Sequence, residues 1–407
     1  MSIFSQQPTD FSMLFLDMDS YFASCEQQLN PALRYKPVGV TPQLVESGCI
    51  IAASIEAKKR GAKTGMPVYL ARKNCPDLIL VEARPALYKQ IHYQIASVLN
   101  KISPFVDPRS IDEFSMKLSP SEQNFFAARD IASKIKSDLK KEIGQYITTS
   151  VGIGPNYFLA KMAGEMSKPN GFGFMTVADA PSKLADLDLT DLTGISGGIS
   201  RRLRAEGVHH IGQLYQMDQL AWRRMLGFNG LLWWYRLRGY EIDDVQFNRS
   251  NIGHSHVLAP EWRHPEKARQ VLNRLAHKVG QRLRNESFWA KKTTLLIHYV
   301  NHTKYENYTN TMPYCDSHTI TELANRLFDL RPDDGEYIIQ LALTASDLVT
   351  GTVEPEPLFP EVAKTLHLTR ALDTINDKYG RDTIYNGSMM SAKQTAPDRI
   401  PFGRVRY

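Results

Sequence analysis

Cysteines and long apolar runs are scarce in this sequence. The 407 residues include 4 cysteines, at positions 25, 49, 75 and 315, and no two of them form a C-x-x-C pair. This spacing argues against a disulfide framework or a zinc site and favours a reduced, cytoplasmic setting. No apolar run approaches the ~18 residues that a membrane-spanning helix requires, so we expect no membrane partner.

Targeting signals and long repeats are also missing from the sequence. The first ten residues, MSIFSQQPTD, have neither a basic region nor an apolar core, so we expect no secretory signal. Hydrophobic residues make up 43% of the chain and charged residues 23%, as in ordinary globular proteins. A chain of this length is too long for one compact core, and two to four domains are expected.

Positive charge is concentrated in one segment. From Arg249 to Lys292 the sequence has 10 lysines and arginines against 3 acidic residues, which exceeds the net charge of +6 for the whole chain. Such a local excess indicates an anionic partner, for example the phosphates of a nucleic acid. The alternative is a solvated, charged helix face.

Two acidic pairs each border an apolar stretch. Asp17 and Asp19 end the run LFLDMD, and Asp112 and Glu113 begin the strand-like run SIDEFSMKL. If these strands lie side by side, three carboxylates would meet at one sheet edge, and such a set of hard oxygen ligands suits Mg²⁺. Two such ions could assist an in-line phosphoryl transfer. The alternative is that each pair lies separately at a solvated strand end.

The pattern of periodic segments predicts an α+β organisation. Strands and helices alternate up to about residue 175, and SPSEQNFFAARDIASKIKSDLKKEIG predicts a long helix with Ser119 as its N-cap and Gly144 as its stop. Residues 180–240 are short, helical and punctuated by glycines. Residues 248–350 predict the order helix, strand, helix, strand, with one basic helix face.

The segment LTGISGGISRRLRAEG is typical of a helix–hairpin–helix. Gly194 and Gly198 bracket a tight turn, and Arg201, Arg202 and Arg204 follow at once. Backbone N–H groups at a helix N-terminus would grip a DNA phosphate without reading the base sequence. A plain helical turn is the alternative.

Four blocks in order resemble the Y-family, translesion DNA polymerases. They are LDMDSYFASCEQ, AASIEAKKRGAKTGMP, SIDEFSM and SVGIGPNYFLAKMAGEMSKPNGF, and the hairpin at 194–204 and RSNIGHSHVL at 249–258 continue the match. The resemblance covers about residues 13–350. It leaves open whether the chain is of the bacterial polymerase IV or polymerase V type.

The resemblance implies an α+β, right-hand polymerase that acts as a monomer. It would add dNMP to a primer 3′-hydroxyl by two-metal transfer, directed by a template and with low fidelity, in DNA repair and the SOS response. Its partners would be primer-template DNA and dNTP. The implied domains are a ferredoxin-like palm (1–30 and 78–175), small fingers (31–77), a helical thumb with the helix–hairpin–helix (176–245), an α+β little finger (246–352) and a C-terminal extension (353–407).

The resemblance also assigns the catalytic site. Asp17, Asp112 and Glu113 match the metal-binding carboxylates, and Met18 matches a residue whose backbone carbonyl touches a metal. They would hold two Mg²⁺, with Mn²⁺ as a possible substitute. Phe22 matches the steric gate, an aromatic ring that leaves no space for a 2′-hydroxyl on the incoming sugar.

Other residues are assigned to the nucleotide and to DNA. Lys161, and second to it Lys168, match a lysine that binds the triphosphate, and Lys58 lies in the fingers motif that contacts it. The residues assigned to DNA phosphates are Gly194, Gly198, Arg201, Arg249, Arg282 and Arg284. In PEPLF, Leu358 and Phe359 would anchor a sliding-clamp peptide, although a simple linker fits equally.

The fingers motif departs from the family pattern. Ile55 and Lys58 stand where the family has tyrosine and arginine, and Tyr157 stands where lysine is usual. Isoleucine cannot donate a hydrogen bond, and lysine lacks the bidentate fork of arginine. We therefore expect weaker nucleotide binding than in a typical member. The alternative function is a catalytically weak or inactive, DNA-bound scaffold in damage tolerance.

Overall fold

The computed structural model describes residues 8–46, 48–243, 249–332, 335–350, 360–380 and 382–397. These residues form two compact units, one up to residue 243 and one from residue 249 onward. Among the described residues, no helix combines the length and the apolar character needed to cross a membrane. The predicted clamp anchors Leu358 and Phe359 lie outside the described residues.

The first unit combines two sheets with ten α-helices in its described residues. Its strands are β1 (Met13–Met18), β2 (Val38–Thr41), β3 (Ala52–Ala53), β4 (Ile79–Glu82), β5 (Val106–Pro108), β6 (Glu113–Lys117), β7 (Thr149–Gly154) and β8 (Phe172–Phe174). Its helices are α1 (Tyr21–Leu29), α2 (Ile55–Lys59), α3 (Val68–Asn74), α4 (Pro85–Asn100), α5 (Phe125–Glu142), α6 (Tyr157–Met166), α7 (Ala180–Leu184), α8 (Gly197–Ala205), α9 (Ile211–Gln216) and α10 (Gln219–Leu237).

The main sheet of this unit has the order β5-β6-β1-β7-β8, with β1 at its centre. Leu14 and Leu16 share one core with α4 and α5, whereas Met13 and Phe15 pack with α6. Because β1 is covered on both faces, its sequence is continuously apolar rather than alternating. A Cβ at Gly152 of β7 would overlap the backbone of α6, so the close approach of this helix requires glycine there.

The rest of the first unit consists of a small sheet and a helical cluster. The small sheet has the order β3-β2-β4 and packs with α2 and α3. Helices α7 to α10 share a core that includes Trp222 and Trp233. Gly194 has a φ of +99°, and a Cβ there would come within 3.1 Å of Trp233, so this turn favours glycine on two counts.

The predicted N-terminus of one helix is wrong. Helix α5 begins at Phe125, where Asn124 caps the N–H of Ala127, and the predicted cap Ser119 instead pairs with Glu122 in a preceding turn. Asn and Ser are both good N-caps, so sequence alone does not choose between them. The element before the Gly194 turn is a 3₁₀ turn (Leu189–Asp191) rather than a full α-helix.

The second unit is an α+β module. Its strands are β9 (Asn251–Val257), β10 (Phe288–Tyr299), β11 (Lys304–Tyr314), β12 (Ile338–Ser346) and β13 (Val349–Thr350), and its helices are α11 (Pro265–Asn285), α12 (Ser317–Asp329) and α13 (Pro360–Tyr379). The sheet order is β11-β10-β12-β9. The predicted apolar face of α11 is confirmed, since Ala268, Val271, Leu272, Leu275, Val279 and Leu283 are all fully buried.

One face of this sheet is covered by α11 and α12, and the other face carries polar residues. Along β10 the buried residues Thr293, Leu295 and Ile297 alternate with more exposed ones. These more exposed residues of β10 lie on the other face of the sheet, together with their partners in β11. The two groups comprise Lys292, Thr294, Leu296, His298, Lys304, Glu306 and Tyr308.

The segment that follows residue 359 packs against α11. Asp373 of α13 accepts hydrogen bonds from Arg284 at 2.5 and 2.9 Å, and Asp382 accepts two from Arg274 at 2.7 Å each. Leu366 is buried in the core of the second unit. The basic side of α11 therefore faces acidic residues from the end of the chain.

Asp373→Ala should destabilise the second unit by about 3 kcal/mol, because it leaves the mostly buried guanidinium of Arg284 without its carboxylate. Urea unfolding followed by circular dichroism measures the loss. Asp377→Ala, which removes an exposed carboxylate from the same helix, is the matched control and should change stability by less than about 0.5 kcal/mol. Equal effects of the two variants would contradict this account.

Candidate active site

The two acidic pairs meet at one edge of the main sheet. In the antiparallel ladder of β1 and β6, Asp17 lies directly opposite Glu113, and the backbone N–H of Met18 donates to the carbonyl of Asp112 at 2.9 Å. Residues opposite each other in such a ladder have Cβ atoms ~5 Å apart on the same face. The sequence left this convergence open, and the register of the sheet produces it.

Burial raises the pKa of the two aspartates. The pKa of Asp17 rises to about 7, because burial and the nearby Glu165 and Asp112 outweigh the lowering effect of Lys168. Burial likewise raises the pKa of Asp112, against a 2.6 Å hydrogen bond from Ser110. A group of carboxylates that is withdrawn from water requires a nearby cation to stay ionised.

Two lysines supply positive charge at this edge. Lys168 Nζ lies 2.9 Å from Asp17 Oδ1 and 2.8 Å from Glu165 Oε1, and Lys161 Nζ lies 2.6 Å from Glu113 Oε1. Burial alone lowers the pKa of Lys168, but its two carboxylate partners outweigh burial and raise it. Lys161 and Lys168 thus both lie at the carboxylates.

Tyr157 also contacts the acidic cluster. Its hydroxyl donates to Glu113 Oε2 at 3.3 Å, and the guanidinium of Arg109 lies 4.6 Å from the centre of its ring. Burial and the adjacent carboxylate of Glu113 raise the pKa of Tyr157. The side chain that departs from the family pattern therefore binds the same carboxylate as Lys161.

Asp19 has a structural role. Its carboxylate accepts hydrogen bonds from Thr148 Oγ1 at 2.9 Å, Ser150 Oγ at 2.7 Å and the backbone N–H of Asn170 at 2.9 Å. These bonds join β1 to β7 and to the loop that carries Lys168.

Phe22 lies one turn beyond the acidic edge. The chain passes from β1 into α1 through Ser20, whose φ is +50°, and Phe22 lies in the first turn of α1. Its ring is 3% exposed and stacks on Tyr88, with centroids 4.7 Å apart and an interplanar angle of 21°. A ring that is packed on a second ring has little freedom to move away.

Lys58 lies on the short helix α2, and the charges of the same acidic cluster affect its pKa. Burial and the charge of Lys168 lower the pKa of Lys58, whereas Asp17, Asp19 and Glu165 act in the opposite direction. The charges that affect Lys58 are thus those of the acidic edge. Ile55 begins the same helix.

The residues assigned to the hairpin lie together at the start of α8. Gly194 occupies the turn, Gly198 lies in the first helical turn, and the exposed Arg201 and Arg202 follow. Arg204 instead pairs with Asp188 at 2.5 Å. Trp233 is 6% exposed and packs edge-on against Phe158, in the core of the helical cluster.

The three arginines assigned to DNA in the second unit have partners within that unit. Arg249 pairs with Glu286, and Arg282 donates to the carbonyl of Gly253 at 2.7 Å. Arg284 is held by Asp373 on α13. Their contact with DNA stays a prediction.

Several residues were missed or underrated in the sequence. Lys168 ranked below Lys161, although it contacts Asp17 directly, and the loop motif SKPNGF was its signal. The contact between Tyr157 and Glu113 has no signal in the sequence, because it depends on how α6 packs.

The donor set suits a divalent cation. Three carboxylates and a backbone carbonyl are hard oxygen ligands of the kind that Mg²⁺ and Mn²⁺ prefer. Among the described residues, no three His, Cys, Asp or Glu side chains form a ready-made metal cluster as they stand. Lysine ammonium groups lie against Asp17 and Glu113 in this arrangement.

The comparisons with known proteins all identify one protein family. Residues 16–165 match the impB/mucB/samB family, and residues 249–357 match the C-terminal domain of that family. DNA polymerase IV 1 of Bacillus subtilis is 30% identical, over 96% of this chain and 95% of its own length. DNA polymerase IV of Moorella thermoacetica is 31% identical, over 93% of this chain and 96% of its own length.

Solved structures agree on the fold. A Y-family DNA polymerase chimera of Dbh and Dpo4 is similar with a TM-score of 0.71 at 23% identity, covering 83% of this chain and 99% of its own. DinB from Sulfolobus solfataricus gives a TM-score of 0.53 at 25% identity with the same coverage. The predicted α+β, right-hand polymerase fold is confirmed. The chain therefore belongs to the impB/mucB/samB family and is a Y-family DNA-directed DNA polymerase.

Proposed function

We propose that this chain extends a DNA primer across damaged as well as undamaged template, by transfer of dNMP from dNTP to the primer 3′-hydroxyl. The observation that carries the proposal is the pairing of Asp17 with Glu113 across β1 and β6, beside Asp112. This pairing supports a single oxygen-rich centre rather than two separate acidic turns. We further propose the division into palm, fingers, thumb, little finger and C-terminal extension given above.

Asp17, Asp112, Glu113 and the carbonyl of Met18 would hold divalent cations, which when bound would stabilise the charge on the attacking and leaving oxygens. The chain supplies the rest of the site. Lys168 lies within 3 Å of Asp17 and would bind the triphosphate from that side. Lys161 and Lys58 would add positive charge around the departing pyrophosphate.

The pairing of Lys161 with Glu113 also constrains catalysis. A carboxylate that is shared between an ammonium group and a tyrosine hydroxyl has a defined orientation, because both of its oxygens have a partner. Glu113 would therefore present its oxygens in one geometry during each turnover.

The substitutions at Ile55 and Lys58 act on nucleotide affinity, and weaker dNTP binding than in a typical member stays our prediction.

Primer extension tests the proposed function. We expect the purified chain to add the templated dNMP to a primer in the presence of Mg²⁺ or Mn²⁺, and to continue past a template abasic site. Chelation of the cation by EDTA should stop the reaction. Conversion of a nucleoside triphosphate without DNA, or failure to extend any primer, would contradict the proposal.

We propose that Arg201 and Arg202 each hold a DNA phosphate beside the N-terminus of α8. The double variant Arg201→Ala/Arg202→Ala should weaken binding to any duplex and reduce the slope of log K against log salt by about 2. Filter binding over a range of salt concentrations measures both effects. Arg204→Ala is the matched control, because Arg204 already pairs with Asp188. An equal reduction of the salt slope in Arg204→Ala would contradict the assignment of Arg201 and Arg202.

A further inference from the structure

A hydrogen-bonded column lies beneath the Phe22 ring, and the proposed reaction does not use it. Phe22 and Glu26 are both on α1, one turn apart, and Tyr88 lies opposite them on α4. The ring of Tyr88 stacks on Phe22, and its hydroxyl donates to Glu26 Oε1 at 2.8 Å. Arg84, at the start of α4, completes the column by binding both oxygens of Glu26.

Glu26 is a buried carboxylate away from the acidic edge. It is 1% exposed, and its known partners are the Tyr88 hydroxyl and the Arg84 guanidinium. Burial of a carboxylate costs free energy even when it is paired, and an apolar residue often serves stability as well or better. A carboxylate at this buried position is explained if it fixes the orientation of the Tyr88 side chain.

Tyr88 is held at both ends. Its ring is fully buried against Phe22, and its backbone carbonyl accepts a 2.7 Å hydrogen bond from the Tyr21 hydroxyl. The bond to Glu26 fixes the far end of the ring. Because Tyr21 and Glu26 both belong to α1, the two bonds clamp Tyr88 against the helix that carries Phe22.

We propose that Glu26 is a positioning residue for sugar selection, which acts through Tyr88 on the Phe22 ring. The inference rests on the proposed function, namely that Phe22 excludes the 2′-hydroxyl. Exclusion by collision needs a ring that cannot retreat, and functional side chains are held to within ~0.5 Å by packing and supporting hydrogen bonds. Glu26 supplies that support through the Tyr88 hydroxyl, and Arg84 holds Glu26 in place.

The test compares incorporation of dNTP and rNTP by steady-state primer extension. Tyr88→Phe keeps the stacked ring and leaves Glu26 paired with Arg84, so it removes only the tether. We expect the ratio of kcat/KM for dNTP to that for rNTP to fall about three- to tenfold, as the loss of one hydrogen bond allows. The change should lie in a lower KM for rNTP, with kcat/KM for dNTP kept within about threefold.

A double-mutant cycle separates this inference from the gate itself. If Tyr88 acts through Phe22, Tyr88→Phe should cause no further loss of discrimination in a Phe22→Ala background. Glu26→Gln, which places an amide against Arg84, should lower discrimination at least as much as Tyr88→Phe. Leu99→Ala is the control: Leu99 is also fully buried on α4 but lies ~16 Å further along the helix.

The outcomes are distinct. Reduced discrimination in Tyr88→Phe and Glu26→Gln, but not in Leu99→Ala, supports the inference. Unchanged discrimination in Tyr88→Phe beside a clear effect of Phe22→Ala overturns the inference and leaves the gate intact. No effect of Phe22→Ala would overturn both. Thermal unfolding of each variant shows that the comparison is made on folded protein.

Discussion

Asp112→Asn should lower kcat for primer extension by a factor on the order of 10³ or more. The amide has nearly the shape of the carboxylate but no negative charge, and it offers a cation one weak oxygen ligand. Asp112 is fixed by its 2.6 Å bond to Ser110 and is adjacent in sequence to Glu113, which lies opposite Asp17. Single-turnover extension of a labelled primer measures the effect.

The matched control is Asp107→Asn on β5, which removes a more exposed carboxylate from a strand of the same sheet. This variant should retain activity within about threefold of the wild-type protein. Asp112→Asn should also bind primer-template DNA as tightly as the wild-type protein. Substantial extension by Asp112→Asn would show that Asp112 is not a metal ligand. An inactive wild-type chain would favour the scaffold function instead.

The strands of the acidic edge could be predicted from sequence, but their pairing could not. The apolar run before Asp17 and the run after Glu113 are both short and β-forming, which is a local property. Which strands become neighbours depends on loop lengths and on helix packing over the whole unit. The family resemblance supplied this information, and the ladder of β1 and β6 places the two acids opposite each other.

Partners of individual charges were the least predictable feature. The basic side of α11 looked suited to DNA, but Arg284 and Arg274 bind Asp373 and Asp382 from the end of the chain. Such partners are distant in sequence, and charge counts along a helix do not show them. The column of Glu26, Arg84 and Tyr88 was missed for the same reason, because its members look like ordinary helix residues.

These two contacts affect different parts of the molecule. Pairing of Arg284 with Asp373 holds the guanidinium of Arg284 within the second unit. Pairing of Glu26 with Tyr88 lies beside Phe22, the side chain that we assign to sugar selection. Whether Arg284 contacts DNA and whether Phe22 excludes ribonucleotides stay predictions.

Phe22→Ala should raise the efficiency of ribonucleotide incorporation relative to deoxyribonucleotide incorporation by about 10² to 10³. The aromatic ring is stacked on Tyr88 and buried, so a 2′-hydroxyl would meet a surface that does not yield. Removing the ring removes the collision and leaves the carboxylates and lysines unchanged. The ratio of kcat/KM for the two nucleotides on the same primer-template measures the effect.

Because Phe22 is also a buried residue, its replacement by alanine creates a cavity that costs about 3 kcal/mol or more of stability. Phe22→Leu provides a second variant with a smaller cavity. It should admit ribonucleotides to an intermediate degree, since leucine fills part of the space but is narrower than the ring. A loss of general activity with unchanged sugar discrimination in both variants would make Phe22 a core aromatic residue. A graded rise in ribonucleotide use from wild type to Phe22→Leu to Phe22→Ala, with dNTP incorporation retained, follows only if the ring faces the sugar.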